Sequence, residues 1–307
     1  QQERWEEAAA ACNDFITTLG NKYPMDEYRL IRDYQNGEII FDRRYGSTNT
    51  FEKNNYPVGY NLGQSGNTPS QNLVDAYEMI DGTPFDWNNP EHKSNPYANR
   101  DPRLAMSILT NNVEFKDRTI EAWTGGRDGK GVIHATRTGY YIYKFIDPNL
   151  DLLQNRTSVH HWVIMRYAEI LLSYAEAMNE AYGPTGNVGY RLNAVRALNQ
   201  VRNRVGVEMP AVPTAISKEE LREKIRNERR VELAFEDHRF WDVRRWMIAP
   251  ETLGAPLRGV EITKISDEEF EYKPIEVEKR TFEPKMYLYP IPQTDLNTTG
   301  WVQNPLW

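Results

Sequence analysis

Three glutamates, Glu228, Glu232 and Glu236, recur every four residues within SKEELREKIRNERRVELAFEDHRFWDVRRW, residues 217–246. On a helix that spacing puts three carboxylates on one face, an arrangement able to do acid/base chemistry. The same stretch carries Leu221, Ile225, Val231, Ala234 and Phe235, and Glu228, Arg229, Glu232 and Arg239 interrupt that apolar stripe. Charges drawn under such a stripe must pair, because an unpaired buried charge costs several kcal/mol (roughly). The expectation is therefore Arg–Glu pairing that ties this helix to its neighbours, with His238 a hydrogen-bonded structural residue. His160 and His161 are adjacent, so on a helix they point about 100° apart and do not share one metal easily. Gly125–Gly131 is glycine-rich but lacks the Lys-Ser/Thr ending of a phosphate loop, and no G-x-S-x-G nucleophile elbow occurs. The single cysteine, Cys12, removes a disulfide framework and a Cys-based zinc site.

The elements that must position these residues fall into three stretches. Composition is globular, with 39% hydrophobic and 26% charged residues over 307 positions. A net charge of −7 argues against nucleic acid as the main partner. No apolar run approaches the ~18–20 residues needed to span a bilayer. In residues 3–19, Trp5, Ala8, Cys12, Phe15 and Leu19 make one apolar helical stripe, closed at Gly20-Asn21. That stripe needs a partner, which suggests the C-terminal part of a longer chain.

Residues 21–160 read as short elements and loops. A strand is expected at 38–41, a loop at 45–69, a short helix at 70–80 and no regular structure across 84–102. A strand or short helix follows at 104–109, a turn-rich loop at 125–131 and a strand at 139–145. From 160 the chain turns helical. Ile164, Ala168, Leu171, Ala175, Met178 and Tyr182 alternate at four and three, and Gly183-Pro184 ends the run. Ala194, Leu198, Val201 and Val205 mark a second helix closed by Gly206, and the two form an antiparallel hairpin with a tetratricopeptide-like period. A third helix opens at Ser217 with a capping box and runs through 246. The tail, 250–307, is expected to be irregular.

The motifs carry a resemblance. Arg166-Tyr167-Ala168-Glu169-Ile170-Leu171-Leu172, then Tyr174-Ala175-Glu176-Ala177, resemble the helical hairpin of SusD/RagB-type proteins. Asn199-Gln200-Val201-Arg202, Glu228-Arg229-Arg230-Val231-Glu232-Leu233, His238-Arg239-Phe240-Trp241-Asp242 and the tail Tyr289-Pro290-Ile291-Pro292-Gln293 follow in the same order. Upstream, Leu73-Val74-Asp75-Ala76-Tyr77-Glu78 and Arg100-Asp101-Pro102-Arg103 fit the pattern as well. The resemblance implies a mostly α fold: an α-α superhelix of tetratricopeptide-like helix pairs, with long irregular loops and a few short strands. It implies a glycan-binding lipoprotein of the outer-membrane surface that delivers oligosaccharide to a SusC-like TonB-dependent transporter and is not an enzyme. The lipidated Cys of such proteins would lie upstream of this chain, as would the N-terminal part of the same protein. On this reading residues 1–20 are the last helix of an upstream tetratricopeptide-like unit. Residues 21–160 form the loop-rich ligand-binding region, and 161–307 the C-terminal helical region.

A pyranose has an apolar C–H face and a rim of hydroxyls, so its site needs an exposed flat ring edged by Asn, Asp, Gln or Arg. Helix aromatics such as Trp162, Tyr167, Tyr174, Phe235, Trp241 and Trp246 are assigned to the core, and Trp301 and Trp307 to holding down the tail. Three loop clusters then remain as ligand candidates. Tyr45, Tyr56, Tyr60 and Asn61 form the first, Trp87 and Tyr97 the second, and Trp123, Arg127 and Asp128 the third. No cofactor is expected; the Asp/Asn density of the loops permits Ca²⁺ without placing it. Two alternatives stay open. One is an all-helical glycoside hydrolase, for which Asp86, Asp117 and Asp128 are weak candidate carboxylates. The other is a tetratricopeptide-like scaffold for protein interaction.

Overall fold

In a computed structural model describing residues 3–28 and 35–307, the first stripe builds α1 (Trp5–Leu19). Positions 29–34 of the loop-rich region lie outside the described residues. Ala9 is fully buried, and Trp5, Cys12, Phe15 and Ile16 pack on the helical core below it. The partner that this stripe requires is a helix of the same chain, introduced below as α6.

The loop-rich stretch is more ordered than its composition suggests. β1 (Ile39–Arg44) is followed by α2 (Thr50–Asn55), a helix inside the expected loop. The helix expected at 70–80 shortens to α3 (Gln71–Val74), capped by the Ser70 hydroxyl. The proline-rich stretch 84–102 contains α4 (Pro90–Ser94), because Pro90 sits at the helix start where its missing N–H costs nothing and Asn89 caps it. Next come α5 (Arg103–Ser107), β2 (Ile108–Leu109), the pair β3 (Glu114–Phe115) and β4 (Arg118–Thr119), and β5 (Tyr141–Ile142). Residues 104–109 are thus helix and then strand, and only two residues of the expected 139–145 strand pair.

Residues 161–166 depart from the helical reading. They form β6 (His161–Arg166), antiparallel to β1, and Ile164 points to solvent while Val163 is buried. β6 runs straight into α6 (Tyr167–Tyr182), which ends at Gly183 with φ +79°. Ala168, Ala175 and Ala177 are buried where α1 and the next helix, α7 (Ala194–Arg202), close on α6. Val205, expected on the α7 stripe, is exposed beyond its end. α8 (Lys218–Glu232) starts at Ser217 with the expected capping box.

The third helix then breaks. Phe235 and Asp237 adopt left-handed φ of +64° and +63°, which ends a helix, and α9 (His238–Arg245) begins afterwards. No glycine announces that break. After α10 (Ala249–Thr252), the tail expected to be irregular holds the two longest strands, β7 (Leu257–Lys264) and β8 (Phe270–Glu278), paired as a hairpin. The alternation Val260, Ile262 and Phe270, Tyr272 was its signal, since those side chains face inward. α11 (Gln293–Thr299) follows. Helices take 34% of the residues.

Two cores result. One is aliphatic and alanine-rich, built from α1, α6, α7 and α8. The other is rich in tyrosine, with Tyr56, Tyr77, Tyr140 and Tyr141 buried under the loops and the β7–β8 hairpin. α8 belongs to both, Ile225 to the first and Val231 to the second. Its glutamates, and Glu236 in the turn beyond its end, meet the expected arginines and one lysine between them. Glu232 contacts Arg103 at 2.8 Å and Arg166 at 2.7 Å, with Arg204 also bonded. Glu228 holds Arg103 and Arg202, and Glu236 holds Lys144 and Arg166. This constellation is a buried lock between the two cores, with each of its carboxylates paired to cations.

Candidate functional site

The β7–β8 hairpin closes over the tyrosine-rich core because the backbone approaches it closely. Val260 N–H donates to the Thr138 carbonyl at 2.9 Å, and Thr124 N–H to Ile262 at 2.9 Å. Gly139, at φ +87°, sits where a Cβ would come 2.7 Å from Val260, so a side chain there would push the hairpin away. Docked in this way, the hairpin brings Phe270 and Tyr272 beside two loop aromatics far away in sequence.

The outcome is a chain of rings. Trp123 and Phe270 lie 5.3 Å apart, Phe270 and Tyr272 6.4 Å, and Tyr272 and Tyr97 5.3 Å in an edge-to-face contact. Tyr97 continues to Tyr140, its hydroxyl donating at 3.3 Å. Tyr97, Phe270 and Tyr272 line a cleft of about 1020 Å³, with Leu104 and Ile108 at its floor. Asn95, Asn112, Lys93, Glu268 and Glu269 stand exposed on its rim. Buried Asn111 receives Ala122 N–H at 3.1 Å and reaches the Tyr272 hydroxyl at 3.4 Å, fixing that ring. Burial raises the Tyr97 and Tyr272 hydroxyls above the usual phenol range, so both remain neutral donors. Half-buried Tyr97 and Phe270, with Tyr272 buried between them at 8% exposure and an amide and carboxylate rim around them, suit an uncharged polyol with apolar patches.

The nine positions singled out from sequence scatter around this cleft. Tyr97 lies on it, and Trp123 extends its ring chain, its face 5.0 Å from the Lys264 ammonium. Trp87 instead is a pin: half-buried, it donates Nε1–H to Asp75 at 3.0 Å. Tyr56, Tyr60, Asn61 and Arg127 share a separate recess of about 570 Å³. Two of these are corrected by burial. Tyr56 and Tyr60 keep only 2% and 8% exposure, and their ring faces are covered by Lys116 and Arg118. Their hydroxyls donate to backbone carbonyls, Tyr56 to Asp147 and Tyr60 to Phe115 at 2.8 Å, so no face is left for a sugar.

Asp128 is also corrected. It is fully buried, bound to Arg118 at 2.6 Å and to the N–H groups of Gly59 and Glu121, and it anchors the loop instead of meeting a ligand. Arg127 is exposed and paired with Glu121 at 2.7 Å; Asn61 and Tyr45 are exposed, Tyr45 beside Arg43.

Other assignments shift as well. Trp246 is held by Glu176 at 2.7 Å, but Trp241, expected in the core, is 61% exposed beyond the break in the third helix. Trp307 pins the tail through Lys285 and Leu288 carbonyls, whereas Trp301 is exposed. His160 hydrogen-bonds with Glu52 at 3.0 Å and His161 with Asp42 at 2.8 Å, each with its own carboxylate. Among the described residues no group of three or more His, Cys, Asp or Glu is arranged to hold a metal, and no helix is long and apolar enough to cross a membrane. Phe270 and Tyr272 were missed because the hairpin that carries them was read as irregular tail.

Comparison with known proteins places these features. The sequence profile of the SusD family matches residues 37–307. SusD-like protein P2 of Formosa agariphila is 34% identical over 120 residues, which are 38% of this chain and 22% of that protein. A crystal structure of a SusD-like protein from Bacteroides fragilis superposes with a TM-score of 0.80 at 30% identity, covering 99% of this chain and 62% of the other. A SusD-like carbohydrate binding protein from the same species gives 0.80 at 29% identity, over 96% and 61%. The chain therefore spans less than two thirds of the length of these relatives.

Proposed function

The chain belongs to the SusD family, and from that premise we propose that it binds oligosaccharide in the Tyr97–Phe270–Tyr272 cleft and passes it on uncleaved. The observation that carries this reading is the run of rings Tyr97, Tyr272 and Phe270 on a wide, polar-rimmed cleft, continued beyond its lining by Trp123. Rings offer rigid apolar area to a pyranose face at low entropic cost, and rim amides satisfy its hydroxyls. The chemistry of the carboxylates supports binding without hydrolysis. A glycosidase needs a protonated acid and a second carboxylate roughly 5–10 Å across a cleft. Asp101, on this cleft wall, is held by Arg103 at 2.7 Å, and Asp128 by Arg118, while the lining carboxylates without an ion pair among the described residues, Glu268, Glu269 and Glu271, all come from the β7–β8 hairpin. The carboxyl that burial pushes upward, Glu169, lies on α6 beside His238 and away from the cleft lining.

In the complete protein the reading extends further. The chain is the C-terminal part of a lipoprotein tethered to the outer membrane through a Cys upstream, and its helix pairs belong to a tetratricopeptide-like superhelix. Its partner is a SusC-like TonB-dependent transporter that receives the glycan. These extensions rest on the family and on the likeness to a SusD-like carbohydrate binding protein of Bacteroides fragilis.

A glycan array probed with the 307-residue protein tests the core of the proposal. Oligosaccharide binding in the micromolar-to-millimolar range, with no new reducing ends after incubation with mixed polysaccharides, is expected. A blank array contradicts binding, and sugar release abolished by Asp86→Asn or Asp117→Asn would turn the reading to a hydrolase.

A further inference from the structure

A second recess of about 530 Å³ lies where α3, α8, α9 and the start of β7 meet. Four arginines reach its wall, Arg230, Arg239, Arg258 and Arg280, against two carboxylates, Asp75 and Glu251. That surplus is notable in a chain of net charge −7.

The carboxylates do not neutralise it. Asp75 is occupied on both oxygens: Arg258 binds one at 2.7 Å, and Trp87 and Gln71 bind the other at 3.0 and 2.7 Å. Glu251 is exposed on α10 and makes no ion pair among the described residues. Arg280 is paired with Glu278 at 3.1 Å. Asp242, beside Arg239 in sequence, is taken by Arg229 at 3.0 Å and Arg245 at 2.9 Å.

Arg230 and Arg239 are left. Both are partly buried, and among the described residues neither has a carboxylate within ion-pair distance. Arg230 places one N–H on the Asn72 carbonyl; a guanidinium has five to offer. Arg239 lies 5.9 Å from the Trp246 ring and makes no hydrogen bond among the described residues. Burial, followed by the neighbouring Arg239 charge, draws the Arg230 guanidinium down to about 10. Two guanidiniums on one recess, neither paired with a carboxylate, repel each other and are poorly solvated, and Glu251 is the one lining carboxylate left unpaired among the described residues. The wall around them is fixed, since Asn72 joins both rims: its amide N–H donates to Pro256 and its oxygen receives Arg258 N–H at 2.7 Å.

We propose that this recess binds the anionic substituent of an acidic saccharide, a carboxylate or a sulfate ester, through Arg230 and Arg239. The planar guanidinium fork matches either oxyanion in a bidentate fashion. The proposal rests on the saccharide-binding reading and adds a charge preference to it, from a recess separate from the aromatic cleft.

Isothermal titration of the 307-residue protein with matched probes tests it. The pairs are oligogalacturonate against its carboxyl-reduced form and chondroitin sulfate oligosaccharide against its desulfated form, with sodium sulfate alone as a fifth probe. The expected result is at least tenfold tighter binding of one acidic probe than of its neutral partner. R239Q should cut that preference to within twofold, R239K should keep most of it, and thermal unfolding should report all three proteins as folded. Equal binding within both pairs, or a preference that survives in R239Q, overturns the proposal while leaving neutral-glycan binding at the cleft intact. Sulfate binding that R239Q abolishes, with no saccharide bound at all, overturns both the saccharide assignment and the proposed function.

Discussion

Glu236 shows most clearly how single residues are constrained here. Its buried carboxylate lies 2.7 Å from Lys144 and 2.8 Å from Arg166. Burial alone would raise its pKa, but Arg166 and then Lys144 outweigh that and hold it at about 2. Glu232 is held low in the same way by Arg204, Arg166 and Arg103. A carboxyl with a depressed folded pKa binds fewer protons folded than unfolded between the two values. Its contribution to stability is therefore present above the unfolded value of about 4.3 and is lost as pH falls toward 2. The melting temperature should be flat from pH 7 to 5 and drop steeply between about 4.5 and 2; a profile unchanged to pH 3 would contradict the lock. Glu236→Gln strands Lys144 without its counter-charge and leaves Arg166 with Glu38 and Glu232, and chemical denaturation should report a loss of about 3–5 kcal/mol. A loss below about 1 kcal/mol would show the pair to be dispensable.

Elements set the site more than individual residues do. The docking of β7–β8 requires Gly139, so Gly139→Ala introduces both a left-handed alanine and a Cβ 2.7 Å from Val260. The expected cost is about 1–3 kcal/mol, together with weaker glycan binding as Phe270 and Tyr272 shift; urea unfolding and titration read the two effects. At the other end of the molecule, Ser217→Ala removes half of a capping box and should cost about 1 kcal/mol without touching affinity. The contrast in legibility follows the same line. The α8 cap, the alanine-lined α6 and the Arg–Glu pairing were readable, because local spacing dictates them. Residues 161–166 read as helix because Ile164 happens to fall at helical spacing, whereas pairing with β1 decided their state. The break at Phe235–Asp237 has no glycine to mark it, so its left-handed backbone left no signal in the sequence. At the cleft, Tyr97 and Trp123 were legible as loop aromatics. Burial of Tyr56, Tyr60 and Asp128 was not, since their covering cations come from the β3–β4 hairpin, Lys116 in its turn and Arg118 at the start of β4, and only the fold brings that hairpin onto the two tyrosines.

The whole molecule joins an alanine-packed helical core to a tyrosine-rich core through the buried ion lock on α8. The cleft's rings all come from the second core and the hairpin over it, within residues 97–272. The proposed saccharide site is therefore tested at those rings. The most direct measurement is calorimetric titration of the best array ligand into three proteins: unaltered, Phe270→Ala and Tyr45→Ala. Phe270 is a half-buried wall of the cleft, and Tyr45 is an exposed aromatic beside Arg43. At least a tenfold loss of affinity in Phe270→Ala, with Tyr45→Ala unchanged, is the result expected. Unchanged affinity in a folded Phe270→Ala protein, or a loss confined to Tyr45→Ala, would contradict the assignment of the site.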